Sequence, residues 1–331
     1  MSKQNLKILA VVVCLLLLVI LVPQMNSYVV LLATRVLAFA ILAMSLDILL
    51  GFTGLASLGQ AAYFGVGAYL TAILANRYGF GLGWDFWLMV PLGMLVGAAL
   101  AAFFGLFAIR AVGTYFLMIT LALGQCVWGL AYRWNSMTGG DNGITLRGGR
   151  PKFGLDLTND VTFFYLTFAF FAATLLALYV LIRSPFGKSL LGIRERELRM
   201  KILGYNVWLH KYIAFIIAGA FGGLSGVLWA HANNIVTPEM VVLTTSVDAL
   251  LMVVLGGSGT LIGGVIGTAI VFGLREYLST VIVWWQYVLG AVYVLTILYL
   301  PTGLMGIPGR VQQWRAAQKQ RDAKKLASAS P

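Results

Sequence analysis

Ser27 to Gly54 reads SYVVLLATRVLAFAILAMSLDILLGFTG, and this stretch decides the fold. Between Ser27 and Leu50 only Arg35 and Asp47 carry charge, and the apolar residues run on without alternating. That length matches the ~20 residues a helix needs to cross a ~30 Å hydrocarbon core. In lipid every backbone N–H and C=O must pair internally, so only helices and closed barrels span. The period-two pattern of barrel strands is missing. The stretch reads as a spanning helix, broken at Gly51-Phe52-Thr53-Gly54.

The rest of the chain repeats the pattern. Of its 331 residues 60% are hydrophobic and only 10% charged, with a mean hydropathy of +0.90. A soluble domain carries roughly 25% charged residues, so water cannot be this protein's main solvent. Apolar segments fall at 6–22, 27–50, 54–76, 86–109, 112–132, 161–182, 210–232, 240–257, 259–279 and 282–300. Together they predict an all-α polytopic membrane bundle of about ten spans or re-entrant segments. Residues 1–309 are expected to form the membrane body and 310–331 a basic tail. Lys3 and Lys7 ahead of Ile8–Val22 resemble a signal peptide, but no small-residue cleavage site follows, so this segment reads as a retained first span.

Charge orients the bundle. The net charge of +12 would suggest nucleic acid in a soluble protein. Here the positive-inside rule governs instead. An N-terminus in the cytoplasm gathers Lys3, Lys7, Arg110, the basic residues from Arg183 to Lys211 and those from Arg310 to Lys325 on one face. Only Glu195, Glu197 and Asp322 oppose them. On the other face Arg77, Arg133, Arg147, Arg150, Lys152 and Arg275 are balanced by Asp85, Asp141, Asp156, Asp160, Glu239 and Glu276. Both termini are therefore expected in the cytoplasm. The stretch 240–279 must then cross twice or re-enter, breaking at Gly256-Gly257-Ser258-Gly259. The basic tail suits anionic lipid headgroups.

Intramembrane charge is costly and marks a pathway or a pair. Arg35 and Asp47 lie about 18 Å apart along one helix, too far to pair directly. Asp47 leads into Gly51 and Gly54, and Asp248 into Gly256, Gly257 and Gly259. This echo reads either as an internal repeat with broken helices facing the path or as chance likeness between Gly- and Leu-rich segments. For both aspartates, capping or interhelical bonding stands beside a pathway role. The small-residue faces Gly65–Ala68, Gly93–Ala98, Gly222–Gly226 and Gly263–Gly267 read as close helix packing. Cys14 and Cys126 read as small buried hydrophobes. His210 and His231 sit at opposite ends of one span, so no metal set forms. No nucleophile faces a base, and no phosphate-binding loop is present. A catalytic site is not expected in this chain.

The loop 183–211 is the informative segment. Leu191, Leu198, Ile202 and Leu203 between charges predict a short amphipathic helix ending at Gly204. It reads either as a solvated hairpin or as a docking helix. Gly192-Ile193-Arg194-Glu195 followed by Leu203-Gly204-Tyr205-Asn206 resembles the cytoplasmic coupling segment of ABC importer permeases. The blocks Leu50–Tyr69, Thr138–Ile144, Leu255–Leu261 and Pro301–Ile307 resemble, in order, the LivM-type permeases of the branched-chain amino-acid ABC importer family. Three positions depart from that pattern: Asp47 where Asn is frequent, Ala56 where Gln or Leu is usual, and Met200 in place of a small residue.

The resemblance implies an inner-membrane heterodimer with a LivH-type second permease. It also implies two cytoplasmic ATPase subunits that bind ATP and Mg, and a periplasmic substrate-binding protein. Lys188, Arg194, Glu195, Glu197 and Arg199 would meet the ATPase, with Gly204 ending the helix. Asp47, Gly51, Gly54, Asp248, Gly256, Gly257 and Gly259 would shape breaks near the path. The expected cargo is a branched-chain or related amino acid; urea, amides or aromatic acids are the alternatives within the family. The rival from another class is an ion-coupled secondary transporter using Asp47 and Asp248 as proton or cation sites.

Overall fold

The computed structural model describes residues 21–78, 85–111, 113–146, 150, 152–153, 155–299 and 303–306. Most of the expected first span, Cys14, Arg147, Pro301, Thr302, Ile307 and the basic tail lie outside the described residues. Helices dominate. In chain order they are α1 (Ser27–Asp47, continued by a π-helix over Ile48–Thr53), α2 (Gln60–Tyr78), α3 (Asp85–Ala108), α4 (Thr114–Arg133) and α5 (Asp160–Arg183). Two short helices follow, α6 (Pro185–Glu195) and α7 (Glu197–Ile202), then α8 (Val207–Asn233), α9 (Leu243–Gly256), α10 (Ile262–Val281) and α11 (Trp285–Tyr299). Among the described residues six helices are long and apolar enough to cross a membrane. The strands are only two residues long: β1 (Ile144–Thr145) pairs antiparallel with β4 (Ile235–Val236), and β2 (Lys152–Phe153) with β3 (Leu155–Asp156). The chain is a multi-pass helical membrane bundle.

Small residues set the packing. Lipid gives apolar helices no hydrophobic reason to associate, so close backbone approach supplies the attraction. On α3, Gly93, Gly97, Ala101 and Gly105 recur every four residues and face α8. A Cβ at Gly97 would strike the Gly219 carbonyl, and one at Gly223 would strike the Gly93 carbonyl. On α8's other side, a Cβ at Gly226 would meet the Phe64 carbonyl of α2. Gly93 sits by Val227 and Gly105 by Tyr212, so α3 runs antiparallel to α8; Tyr63 by Gly222 and Ala68 by Gly226 make α2 parallel to it. The glycine faces read from the sequence are packing surfaces.

α1 threads the interior and is buried continuously from Leu37 to Leu49. Ser225 of α8 donates to its Ala38 carbonyl at 2.7 Å. The far end of α8 is closed by a residue the sequence left among the balanced surface charges. Arg150 is only 7% exposed; it donates to the His231 and Ala232 carbonyls at 3.2 and 3.3 Å and pairs with Asp160 at 2.6 Å. Its guanidinium also lies 4.5 Å from the Phe163 ring centre. Free carbonyls of a last turn attract a cation, and this one ties α5 to α8.

Four expectations need correction. Cys126, read as a buried residue, is exposed on α4. The span expected at 54–76 becomes helical only at Gln60, because 54–59 return the chain alongside α1 in irregular form; Gln60 there donates to Ser45 Oγ at 2.5 Å. The span expected at 240–257 divides into a 3-10 turn, Pro238–Val241, and α9, whose 14 residues reach about 21 Å. Alone, α9 is shorter than the hydrocarbon core. The single helix expected before Gly204 is two helices, broken at Arg196 with φ −152° and ψ 88°.

Candidate functional site

Three segments converge at one end of the bundle: the end of α1, the loop from α9 to α10, and the last turn of α6. The wider π turn carries α1 to Gly54, which takes the left-handed conformation (φ 74°) that releases the helix. Inside it, the fully buried Asp47 carboxylate accepts from two backbone amides of the α9–α10 loop, Gly259 N–H at 2.6 Å and Leu261 N–H at 2.9 Å. Leu261 is the N-cap of α10, so the carboxylate also stands at the positive end of that helix. Asp47 therefore does cap free amides, but those of another segment.

Glycine makes this reach feasible. A Cβ on Gly51 would fall on the Asp47 carboxylate and on the backbone of Gly259. The loop turns through positive φ at Gly257 (115°) and Gly259 (84°), conformations that side chains resist. Thr260 Oγ1 donates to the Gly257 carbonyl at 2.7 Å and accepts from Gly263 N–H at 3.0 Å, closing the loop. A Cβ on Gly256 would strike the Gly263 carbonyl, so α9 and α10 meet backbone to backbone. Arg194 of α6 donates to the Gly51 carbonyl. Asp47, Gly51, Gly54, Gly256, Gly257, Gly259 and Arg194 thus form one junction, though they span most of the chain.

Asp248 is elsewhere. It lies about 12 Å back along α9, with a carboxylate oxygen 4.0 Å from Arg275. The two aspartates of the internal echo consequently occupy unlike settings.

The short helices α6 and α7 lie beside the junction. Ser184 caps α6 by accepting from Gly187 N–H at 3.3 Å, and Pro185 occupies the first turn. Leu190 and Ile193 face inward; Lys188, Glu195 and Arg199 are exposed. Glu197 bridges Lys201 at 2.8 Å and Lys211 at 2.7 Å, tying α7 to the first turn of α8. Partial burial pushes the Glu197 carboxyl upward, but hydrogen bonds from the two lysines outweigh it and leave it below the ordinary glutamate value. α7 ends in paired bonds, Gly204 N–H to Lys201 and Tyr205 N–H to Met200, with Gly204 at φ 85°. Met200 packs with Ile193 and Val207 and against Gly192.

Beside the exposed Arg199 and Lys201, α7 and its C-cap present three apolar side chains outward: Leu198 is 73% exposed, Ile202 79% and Leu203 64%. The 3.6-residue pattern signals an amphipathic helix, but it cannot say that the apolar face turns away from the bundle. No group of three or more His, Cys, Asp or Glu that could hold a metal occurs among the described residues. The junction has no nucleophile set against a base. It can hold segments together and transmit their displacement.

Comparison with known proteins agrees with this architecture. Residues 28–298 match the family model described as branched-chain amino acid transport system / permease component. The high-affinity branched-chain amino acid permease LivM of Salmonella typhimurium is 31% identical over 298 residues, covering 82% of this chain and 69% of that protein. LivH of the same organism is 25% identical over 291 residues, covering 82% and 92%. The guanosine ABC transporter permease NupQ of Bacillus subtilis is 29% identical over 164 residues, about half of each chain. No solved structure matches.

Proposed function

The chain belongs to the family of branched-chain amino-acid transport permease components and is a membrane-spanning permease subunit of an ABC importer; from that premise we propose that its cargo is a branched-chain or related amino acid. In this reading it pairs with a LivH-type permease and takes cargo from a periplasmic binding protein. Two cytoplasmic ATPases bind ATP and Mg and drive it. The termini and the α6–α7 element face the cytoplasm, in keeping with the basic residues gathered there.

One observation carries the mechanism. α6 and α7 show an apolar surface at Leu198, Ile202 and Leu203, while Arg194 ties the same element to the junction at Gly51. The exposed face suits docking on the ATPase, and the tied face suits relaying its movement. When the nucleotide-bound dimer closes, α6 shifts; Arg194 pulls the end of α1, and Asp47 carries the shift to α10. Alternating access follows as α1 and the α9–α10 hairpin move against α2, α3 and α8. An ion-coupled mechanism finds less support, because both Asp47 oxygens already accept backbone N–H groups and Asp248 faces Arg275.

The test is affinity purification from native membranes of the wild-type chain and a Leu198→Asp/Ile202→Asp variant. The wild type is expected to bring down ATPase subunits whose activity rises with a leucine-loaded binding protein. The variant should insert normally yet lose them. Equal ATPase recovery with both chains would remove the docking role from α7. Recovery with neither, alongside ion-dependent uptake by the lone chain, would favour the secondary transporter.

A further inference from the structure

A cavity of about 310 Å³ lies at the other end of the bundle, between α1, α8, α10 and the segment leading into α9. Its apolar side is an aromatic cluster. Phe39 lies 5.3 Å from Phe64, 4.8 Å from Trp229 and 5.0 Å from Phe272, ring centre to ring centre. Its other side carries charge of both signs: Arg35, Glu239, Arg275 and Glu276. Arg35 sits about 12 Å into α1 from Ser27, a depth where a cation facing lipid is costly.

Two of these charges are already engaged. Arg275 lies against Asp248 and 5.2 Å from the Trp285 ring centre, and Glu276 accepts from the Tyr28 hydroxyl. The other two are open. Among the described residues Arg35 makes no hydrogen bond, its buried Nε has no partner, and the Glu239 carboxylate has no ion pair. Trp229 Nε1–H, also buried, has no partner either. Buried donors normally find acceptors. A lining with a free guanidinium, a free indole N–H, a free carboxylate and an aromatic floor is complementary to one chemistry.

We infer that this cavity is an amino-acid subsite within the subunit, taking the α-carboxylate at Arg35, the α-ammonium at Glu239 and a large apolar side chain on the aromatic cluster. A guanidinium presents paired donors that fit a carboxylate, and Trp229 Nε1–H adds a third. A neutral nucleoside or amide would leave both fixed charges unanswered. The volume lies within the range of small-molecule sites, roughly 300–1,000 Å³. The inference rests on the amino-acid importer reading and specifies where in this chain the cargo pauses.

The test uses the assembled complex in lipid nanodiscs, carrying Thr245→Cys at the cavity wall with Cys14→Ser and Cys126→Ser. Labelling by a water-soluble maleimide is followed with added L-leucine, isoamylamine (no carboxylate), 4-methylvalerate (no ammonium) or guanosine. Leucine alone should protect. Arg35→Met and Glu239→Gln should each raise the half-protecting concentration at least tenfold, and Arg35→Lys should recover part of the loss. Equal protection by the amine or the acid, protection by guanosine instead, a cysteine that never reacts, or unchanged leucine protection in Arg35→Met would each overturn the subsite. ATP hydrolysis stimulated by loaded binding protein is measured on the same samples. Stimulation without leucine protection rejects the subsite and leaves the importer; protection without any ATPase does the reverse.

Discussion

Replacing Asp47 by alanine removes the acceptor for two backbone amides at once. The carboxylate is completely buried and holds Gly259 N–H at 2.6 Å and Leu261 N–H at 2.9 Å. A hydrogen bond to a charged group contributes about 1.5–3 kcal/mol, and an abandoned buried donor costs a similar amount. At 1.4 kcal/mol per factor of ten, each amide should open about ten- to a hundredfold more often. Hydrogen–deuterium exchange on the purified complex, read at peptides covering 257–262, reports that opening directly. The α3–α8 contact at Gly97 and Gly223 serves as an internal control and should not change. Asp47→Asn keeps one acceptor oxygen and turns an amide donor toward the other N–H, so its exchange should fall between wild type and alanine. Stimulated ATPase should then outlast uptake in Asp47→Ala, because α6 still docks while the link to α10 is cut. Unchanged exchange at Gly259 and Leu261 in Asp47→Ala would refute the latch.

Further outcomes follow from the same geometry. The Glu197 carboxyl titrates below its ordinary value in the folded protein, so its stabilising effect is complete above the ordinary glutamate range and fades as pH falls through the lowered value. Glu197→Gln should flatten the acid limb of a thermal-unfolding series carried from neutral pH to below the ordinary glutamate range; an unaltered limb would place that sensitivity elsewhere. Gly97→Val should abolish accumulation of folded protein, since its Cβ meets the Gly219 carbonyl, whereas Gly273→Ala, with open space around it, should behave as wild type. Size-exclusion profiles of the two would show it, and equal yields would contradict backbone contact between α3 and α8. Arg150→Ala leaves Asp160 and two carbonyls without their cation. The half-buried setting of Asp160 puts the loss near 3 kcal/mol, visible as a lowered unfolding temperature.

The sequence carried the fold well because membrane crossing is a one-dimensional constraint. Length and continuity of apolar runs are enough to find α1, α3, α4, α5, α8 and α10 to within a few residues. It failed where the backbone leaves a helix inside protein. Residues 54–59 look as apolar as a helix, and their irregular path is stabilised by side chains far along the chain: Leu58 N–H donates to Thr120 and Ala61 N–H to Ser246. No local pattern encodes such bonds. The glycine breaks and Asp47 were visible as oddities, because charge and repeated glycine at membrane depth are rare. Their meeting was not, since Gly51, Gly259 and Arg194 are adjacent only once the bundle is packed. Arg150 gave no signal at all among charges that merely balanced.

The two kinds of contact in the bundle imply two kinds of mechanical behaviour. α2, α3 and α8 touch through backbone at Gly67, Gly93, Gly97, Gly219, Gly223 and Gly226. Sliding one helix there drives carbonyl oxygens into neighbouring atoms, and close-packed surfaces yield in steps rather than smoothly. The junction is different. Arg194 to Gly51 and Asp47 to Gly259 and Leu261 are a few directional bonds across glycines that have no side chain to obstruct a shift. Each can break at a cost of a few kcal/mol, within reach of an energised partner, and each can reform in a new register. A docking element bonded to the second group at Arg194 and hinged on the first at the Glu197–Lys211 pair would move α1 and the α9–α10 hairpin against a rigid block. The cavity at Arg35 is walled by both groups, with Trp229 on the block and Arg35, Glu239 and Phe272 on the mobile side. On the proposed mechanism, a displacement starting at Arg194 would change the spacing between Arg35 and Trp229 and so would couple the docking end of the molecule to the place where a zwitterion would be held.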